Sequence, residues 1–130
     1  MKEIGLYVHI PFCKKKCDYC DFISFAGKEE LQKKYIETLI YEIKQEANEE
    51  FIVDTIYIGG GTPSYINSKF ITEIMQTIKQ NYNIKENAEI TIEVNPGTID
   101  KQKLIDYKQN GINRISIGLQ TTNNELLKQI

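Results

Sequence analysis

Cys13, Cys17 and Cys20 are the three cysteines of the chain, spaced Cys-x3-Cys-x2-Cys directly after the alternating run Ile4 to Ile10. An odd number cannot pair completely as disulfides, and thiols crowded onto one loop read as metal ligands. A cubane iron–sulfur cluster that only passes electrons takes four cysteines, so three leave one iron open to a small molecule. Zinc competes. A closed structural zinc site needs four protein ligands, and the lone histidine, His9, sits on the preceding strand, while Asp18 or Asp21 could complete a set. His9 itself reads first as a hydrogen-bonded residue at a strand end, and as a weak candidate for a proton-handling role near the thiols.

Around the cysteines the chain reads Tyr7-Val8-His9-Ile10-Pro11-Phe12-Cys13-Lys14-Lys15-Lys16-Cys17-Asp18-Tyr19-Cys20-Asp21-Phe22. Three further motifs follow: Gly59-Gly60-Gly61-Thr62-Pro63-Ser64, Glu93-Val94-Asn95-Pro96-Gly97, and Arg114-Ile115-Ser116-Ile117-Gly118-Leu119-Gln120. Together, and in this order, they closely resemble the radical S-adenosylmethionine (SAM) superfamily, in particular its oxygen-independent coproporphyrinogen III oxidase-like family, and the likeness runs the length of the chain. The resemblance implies that Cys13, Cys17 and Cys20 hold three irons of a 4Fe-4S cluster whose fourth iron is chelated by SAM. Reductive cleavage of SAM would then give a 5′-deoxyadenosyl radical, chemistry that belongs to the cofactor and that the protein orients. It further implies SAM contacts from Tyr7, Tyr19, the loop Gly60-Gly61-Thr62, Glu93 and Gln120.

Residue chemistry runs beside those roles. Glycines let the backbone approach a ligand closely and Pro63 stiffens the turn, although three glycines before a proline alone would more often be just a turn. Glu93 falls on the inward face of a strand end, where an unpartnered carboxylate would be costly and a ligand's ammonium or hydroxyl groups would answer the cost. Gln120 alone would be an ordinary loop amide. Tyr7 points to the same inward face by strand parity, and Tyr19 within the cluster loop can shield iron–sulfur from water and stack on a base.

Two branches of the family imply different functions. One oxidatively decarboxylates coproporphyrinogen III; the other, the haem chaperones, keeps the cluster and SAM motifs and delivers haem. The decarboxylating branch carries a further cysteine two residues after the third cluster ligand, where this chain has Phe22, and the chaperone branch typically reads Cys-Asp-Phe, as Cys20-Asp21-Phe22 does. The chaperone reading is therefore expected, with the decarboxylase as alternative and a zinc-stabilised interaction domain as a third. Partners implied are SAM, haem or a porphyrinogen, and a reductant such as a flavodoxin or ferredoxin.

Bulk properties bound these readings. At 130 residues with 41% hydrophobic and 26% charged content, the chain suits one ordinary core. A net charge of −2 leaves no footprint for nucleic acid or an anionic membrane. Fifteen of the sixteen basic residues are lysine, mixed with glutamate along helical segments as on a solvated face, and the run Lys14 to Lys16 reads the same way. No apolar stretch approaches 18 residues, and Met1-Lys2-Glu3 leads straight into the first strand without a signal peptide, so a reducing cytoplasm is expected.

The elements that must position these residues alternate. Period and punctuation predict strands at about residues 4–10, 54–58, 88–94 and 113–119, and helices at about 28–48, 67–81 and 100–110. Leu31, Tyr35, Ile36, Leu39, Ile40 and Ile43 form one apolar stripe; Phe70, Ile71, Ile74, Met75 and Ile78 a second; Leu104 and Tyr107 a weaker third. Thr98 or Asp100 caps the last of these helices, and Asn123 or Asn124 a fourth. Each strand splits into a polar and an apolar face, for example Tyr7 and His9 against Leu6, Val8 and Ile10, or Ser116, Gly118 and Gln120 against Ile115, Ile117 and Leu119. Parallel strands seldom expose a face, so the polar side is expected to look into a cavity, with the site at the carboxyl ends of the strands. The expected fold is α/β, the N-terminal portion of a parallel six-unit (βα) partial TIM-type barrel, about three and a half units long. Residues 1–130 would then be the first part of a single radical SAM core domain, with the rest of the barrel and a C-terminal domain outside the chain. An open last strand would favour self-association of the piece.

Overall fold

The computed structural model describes residues 2–13, 25–26 and 29–117. Cys17, Tyr19, Cys20, Phe22 and Gln120, with Lys14 to Lys16, Asn123 and Asn124, lie outside the described residues. In chain order the elements are β1 (Lys2–Ile10), β2 (Phe12–Cys13), β3 (Phe25–Ala26), α1 (Glu29–Glu46), β4 (Phe51–Gly60), a 3-10 turn (Pro63–Tyr65), α2 (Ser68–Asn81), β5 (Asn83–Val94), α3 (Lys101–Gln109) and β6 (Arg114–Ile117).

Four strands form a parallel sheet in the order β1-β4-β5-β6, and β2 pairs with β3 in a separate two-stranded piece. Each strand of the large sheet lies beside its predecessor, whereas a doubly wound sheet would reverse order partway. Helix α1 packs on α2 and α2 on α3. Sequential strands under a continuous helix layer are a sector of a barrel wall.

The helix-facing side follows the predicted parity. Val8, Ile10, Val53, Ile56, Ile58, Ile90, Ile92 and Val94 from the strands bury against Ile36, Ile43, Ile71, Ile74, Met75, Ile78 and Tyr107 from the helices. Burying each such side chain contributes roughly 1.5–3 kcal/mol. Caps set the helix starts: Asn67 accepts from the Lys69 amide at 3.0 Å, and Asp100, the expected cap, from the Lys103 amide at 2.8 Å.

Several expectations change. Strand β4 runs from Phe51 rather than residue 54, because Phe51 to Val53 pair with Lys2 to Ile4 ahead of a bulge at Asp54. Strand β5 begins at Asn83 rather than residue 88, since α2 ends in the extended Tyr82 and Asn83 and Ile84 pair at once with Ile52 and Val53. Leu31 and Leu104 are exposed; the α1 stripe centres on Ile36 and Ile43, with Gln32 buried in Leu31's expected place, and Tyr107 alone carries the buried face of α3. On β6, Ile115 and Ile117 are exposed, Ile117 to 61%, because among the described residues no helix follows that strand to cover them.

Candidate functional site

The carboxyl ends of β1, β4 and β5 converge through their register: His9 stands opposite Gly59, Ile10 opposite Gly60, and Tyr7 opposite Tyr57, which lies opposite Thr91. Beyond the strand ends, the Gly61 amide donates to the Ile10 carbonyl at 2.8 Å and the Thr62 amide to the Phe12 carbonyl at 2.7 Å. The glycine loop is thereby laced to the backbone that carries the first cysteine. Cys13 is buried, 8% exposed, and a Cβ placed on Gly61 would stand 2.9 Å from its Sγ. Glycine is required there by contact. Gly60 has φ +118°, a left-handed region that side-chain-bearing residues rarely enter, and its own Cβ would meet the His9 ring at 2.8 Å.

Glu93 closes the same face. Its Oε2 accepts from the Tyr57 hydroxyl at 2.8 Å and its Oε1 from the Gly60 amide at 3.0 Å. Two protein donors therefore already offset part of the cost of placing this half-buried carboxylate. A carboxylate offers about four lone-pair positions, so each oxygen keeps acceptor capacity toward the cavity. Tyr57 was visible by parity as an inward residue, and only the structure shows its role.

Tyr7 lies over this wall, its ring stacked on Tyr57 at 6.1 Å between centroids and its hydroxyl 3.2 Å from His9 Nδ1. Partial desolvation, then the Glu93 carboxylate and the Tyr57 phenol, hold the Tyr7 phenol above its ordinary pKa. His9 is pinned through its backbone as well, its carbonyl accepting from the Tyr35 hydroxyl at 2.5 Å, and Tyr35 packs edge-on against Phe12.

A cavity of about 230 Å³ opens at this point, lined by Gly60, Gly61, Thr62, Pro63, Glu93, Val94, Asn95 and Ser116. A larger hollow of about 660 Å³ near the start of α1 joins none of the motif residues beyond the caps Asn67 and Asp100, so the smaller one is the chemically meaningful site. The structure brings Tyr7, His9, Cys13, Gly60, Gly61, Thr62 and Glu93 together. Among the described residues no three His, Cys, Asp or Glu side chains form a metal-holding group, two of the three cysteines lying outside them. What is present fits the cluster and SAM: a buried thiol at the strand ends, a glycine cradle beneath it that a Cβ would fill, and a fixed carboxylate facing the hollow.

Comparisons with known proteins agree with this geometry. The family described as the Radical SAM superfamily matches residues 7–130. A heme chaperone HemW from Buchnera aphidicola subsp. Schizaphis graminum is 47% identical over the whole chain, and one from Escherichia coli 38%. An oxygen-independent coproporphyrinogen III oxidase from Salmonella typhimurium is 33% identical over 99% of the chain. The solved coproporphyrinogen III oxidase from Escherichia coli, described as a radical SAM enzyme, superposes with TM-score 0.85 at 34% identity, covering 98% of this chain and 30% of that one. The chain spans 35% of the length of the two chaperones it matches. No described helix is long and apolar enough to cross a membrane.

Proposed function

The chain belongs to the radical SAM superfamily, and from that premise we propose that it is the N-terminal part of a cytoplasmic haem chaperone that binds a 4Fe-4S cluster and SAM. The observation that carries the chaperone assignment is Phe22 in Cys20-Asp21-Phe22, where the decarboxylating branch has a further cysteine. A phenyl ring neither ligates metal nor offers thiol chemistry. The chaperones' 47% and 38% identity, against 33% for the oxidase, supports the same branch.

In this reading Cys13, Cys17 and Cys20 would hold the cluster, and three thiolates would leave it one iron free for SAM. When bound and reduced, the cluster supplies the electron that cleaves SAM. The chain's own residues hold and orient. Gly60, Gly61 and Thr62 admit the ligand at backbone distance from Cys13, and Glu93, fixed by Tyr57 and Gly60, offers its remaining lone pairs to an ammonium or hydroxyl group. Tyr7 covers the wall, while Tyr19 and Gln120 complete the contacts. Haem, and a flavodoxin- or ferredoxin-type reductant, would meet the full-length protein.

The test uses full-length protein with reconstituted cluster, reductant and SAM, assayed for conversion of coproporphyrinogen III and for stoichiometric haem binding. Bound haem without protoporphyrinogen is expected; rapid turnover with no haem retained overturns the chaperone reading and restores the oxidase. Self-association of the isolated chain belongs to the same proposal, since β6 pairs only with β5 among the described residues and exposes Ile115 and Ile117. Sedimentation of a clean monomer at high concentration would count against it.

A further inference from the structure

Behind the cavity wall lies a second polar cluster that none of the assigned contacts uses. Ser64, in the turn after the glycine loop, is 0% exposed, yet its side chain is hydrogen-bonded to another loop. Its Oγ accepts from the Asn95 amide at 2.9 Å and lies 2.5 Å from Thr98 Oγ1. The protons can be counted. Thr98 donates its single hydroxyl proton to the Asn95 carbonyl at 3.0 Å, so the Ser64 hydroxyl must donate to Thr98, and every hydrogen in the set has one place to go. Lys103, on the first turn of α3, closes the arrangement by donating to the Ser64 carbonyl at 2.6 Å and the Thr98 carbonyl at 2.9 Å. Within the second loop the Gly97 amide donates to Asn95 Oδ1 at 2.8 Å and the Thr98 amide to the Asn95 carbonyl at 2.9 Å.

These bonds join the two segments that build the cavity, Gly60 to Pro63 from β4 and Glu93 to Asn95 from β5. On the cavity side the same segments meet through the Gly60 amide and Glu93. The loops are thus tied at two points, one facing the cavity and one partly buried behind it, with Ser64 at its buried centre. We infer that Ser64, Thr98 and Lys103 are positioning residues, a clamp around the buried Ser64 hydroxyl that fixes the spacing between the glycine loop and Glu93 so that the site is preformed for SAM. The inference rests on the reading of this face as the SAM site. The clamp touches no ligand atom; it acts through Gly60 and Glu93.

Full-length protein with reconstituted cluster, in the parent, Ser64→Ala, Thr98→Val and Thr98→Ser forms, tests it. Four quantities are measured: the iron content, the SAM dissociation constant, the global unfolding midpoint, and amide hydrogen exchange of residues 60–62 and 94–98. Thr98→Val keeps the shape of threonine and removes the hydroxyl, whereas Thr98→Ser keeps the hydroxyl. Expected are SAM binding weakened about tenfold in Ser64→Ala and Thr98→Val, faster exchange in both loops, an iron content equal to the parent's, and near-parental behaviour of Thr98→Ser. Should Ser64→Ala fail to fold, Thr98→Val and its serine counterpart carry the test. Binding by Thr98→Val within about twofold of the parent, or equal losses in Thr98→Ser, overturns the clamp. A parent that takes up iron but binds no SAM overturns the site reading as well, so the two failures are distinguishable.

Discussion

The two faces of the sheet are held by different physics. Toward the helices, isoleucines and valines pack with almost no polar atoms among them, and cohesion there is non-directional burial. Toward the cavity, Tyr57, Glu93 and Gly60 are held by hydrogen bonds of 2.8 and 3.0 Å, with geometry fixed atom by atom. The contrast teaches where substitutions act. Loss of volume on the helix side lowers stability wherever it falls, while loss of one donor on the cavity side leaves the fold standing and alters what the site can hold.

The largest effect expected on this contrast is Ile74→Ala, at a fully buried position of α2. It should cost about 2–5 kcal/mol in denaturant unfolding, while material that remains folded keeps the ligand contacts of the opposite face. If Ile74→Ala left stability intact and abolished SAM binding, the division between the faces would fail.

Gly60→Ala breaks the cavity side. A methyl at φ +118° with the His9 ring 2.8 Å away should cost about 1–3 kcal/mol and displace the amide that holds Glu93 Oε1. SAM binding by the full-length protein should fall below detection, a loss out of proportion to stability.

Tyr57→Phe sharpens the division, since it removes one hydroxyl and little volume. Glu93 loses its Oε2 donor, so SAM affinity should weaken about tenfold and stability should change by no more than about 1 kcal/mol. Equal affinity would show that the Gly60 amide alone positions the carboxylate.

The smallest effect lies on the helix side, at a buried hydroxyl of α3. The Tyr107 hydroxyl is buried without a hydrogen-bond partner, and burial, followed by Asp100 and Asp106, raises its pKa well above the ordinary 10.0. A raised folded-state pKa means that the unfolded chain ionises first. The stability is present below about pH 10 and is lost as pH rises above it. Tyr107→Phe should raise stability by up to about 1 kcal/mol at neutral pH and flatten the alkaline decline, as thermal unfolding at pH 8 to about 11 would show.

Much of this was legible in the sequence because parity and helical period are direct records of burial. Val8 and Ile10 against Tyr7 and His9, or Ile90 and Ile92 against Glu93, announce a two-faced sheet with its chemistry at the strand ends. What stayed hidden depends on partners distant in sequence. Ile115 and Ile117 match the apolar parity, but burial needs a covering helix that the described residues do not supply. Ser64 and Thr98 sit 34 positions apart in loop motifs that show no period, so nothing local announces their hydrogen bond. Glu93 and Gly60 were both legible as motif residues, but the bonds that Tyr57 and Gly60 donate to the carboxylate were not, because a carboxylate's position shows a need without showing what meets it.

The cavity face is proposed as a SAM site built against a cluster on Cys13, Cys17 and Cys20. It is tested most directly by electron paramagnetic resonance of the reduced, reconstituted full-length protein during titration with SAM. About four irons per chain and a cluster signal that shifts and saturates with SAM are expected, both lost when any of the three cysteines is replaced by alanine. Tightly bound zinc with no iron uptake, or a cluster signal that SAM leaves unchanged, would contradict it.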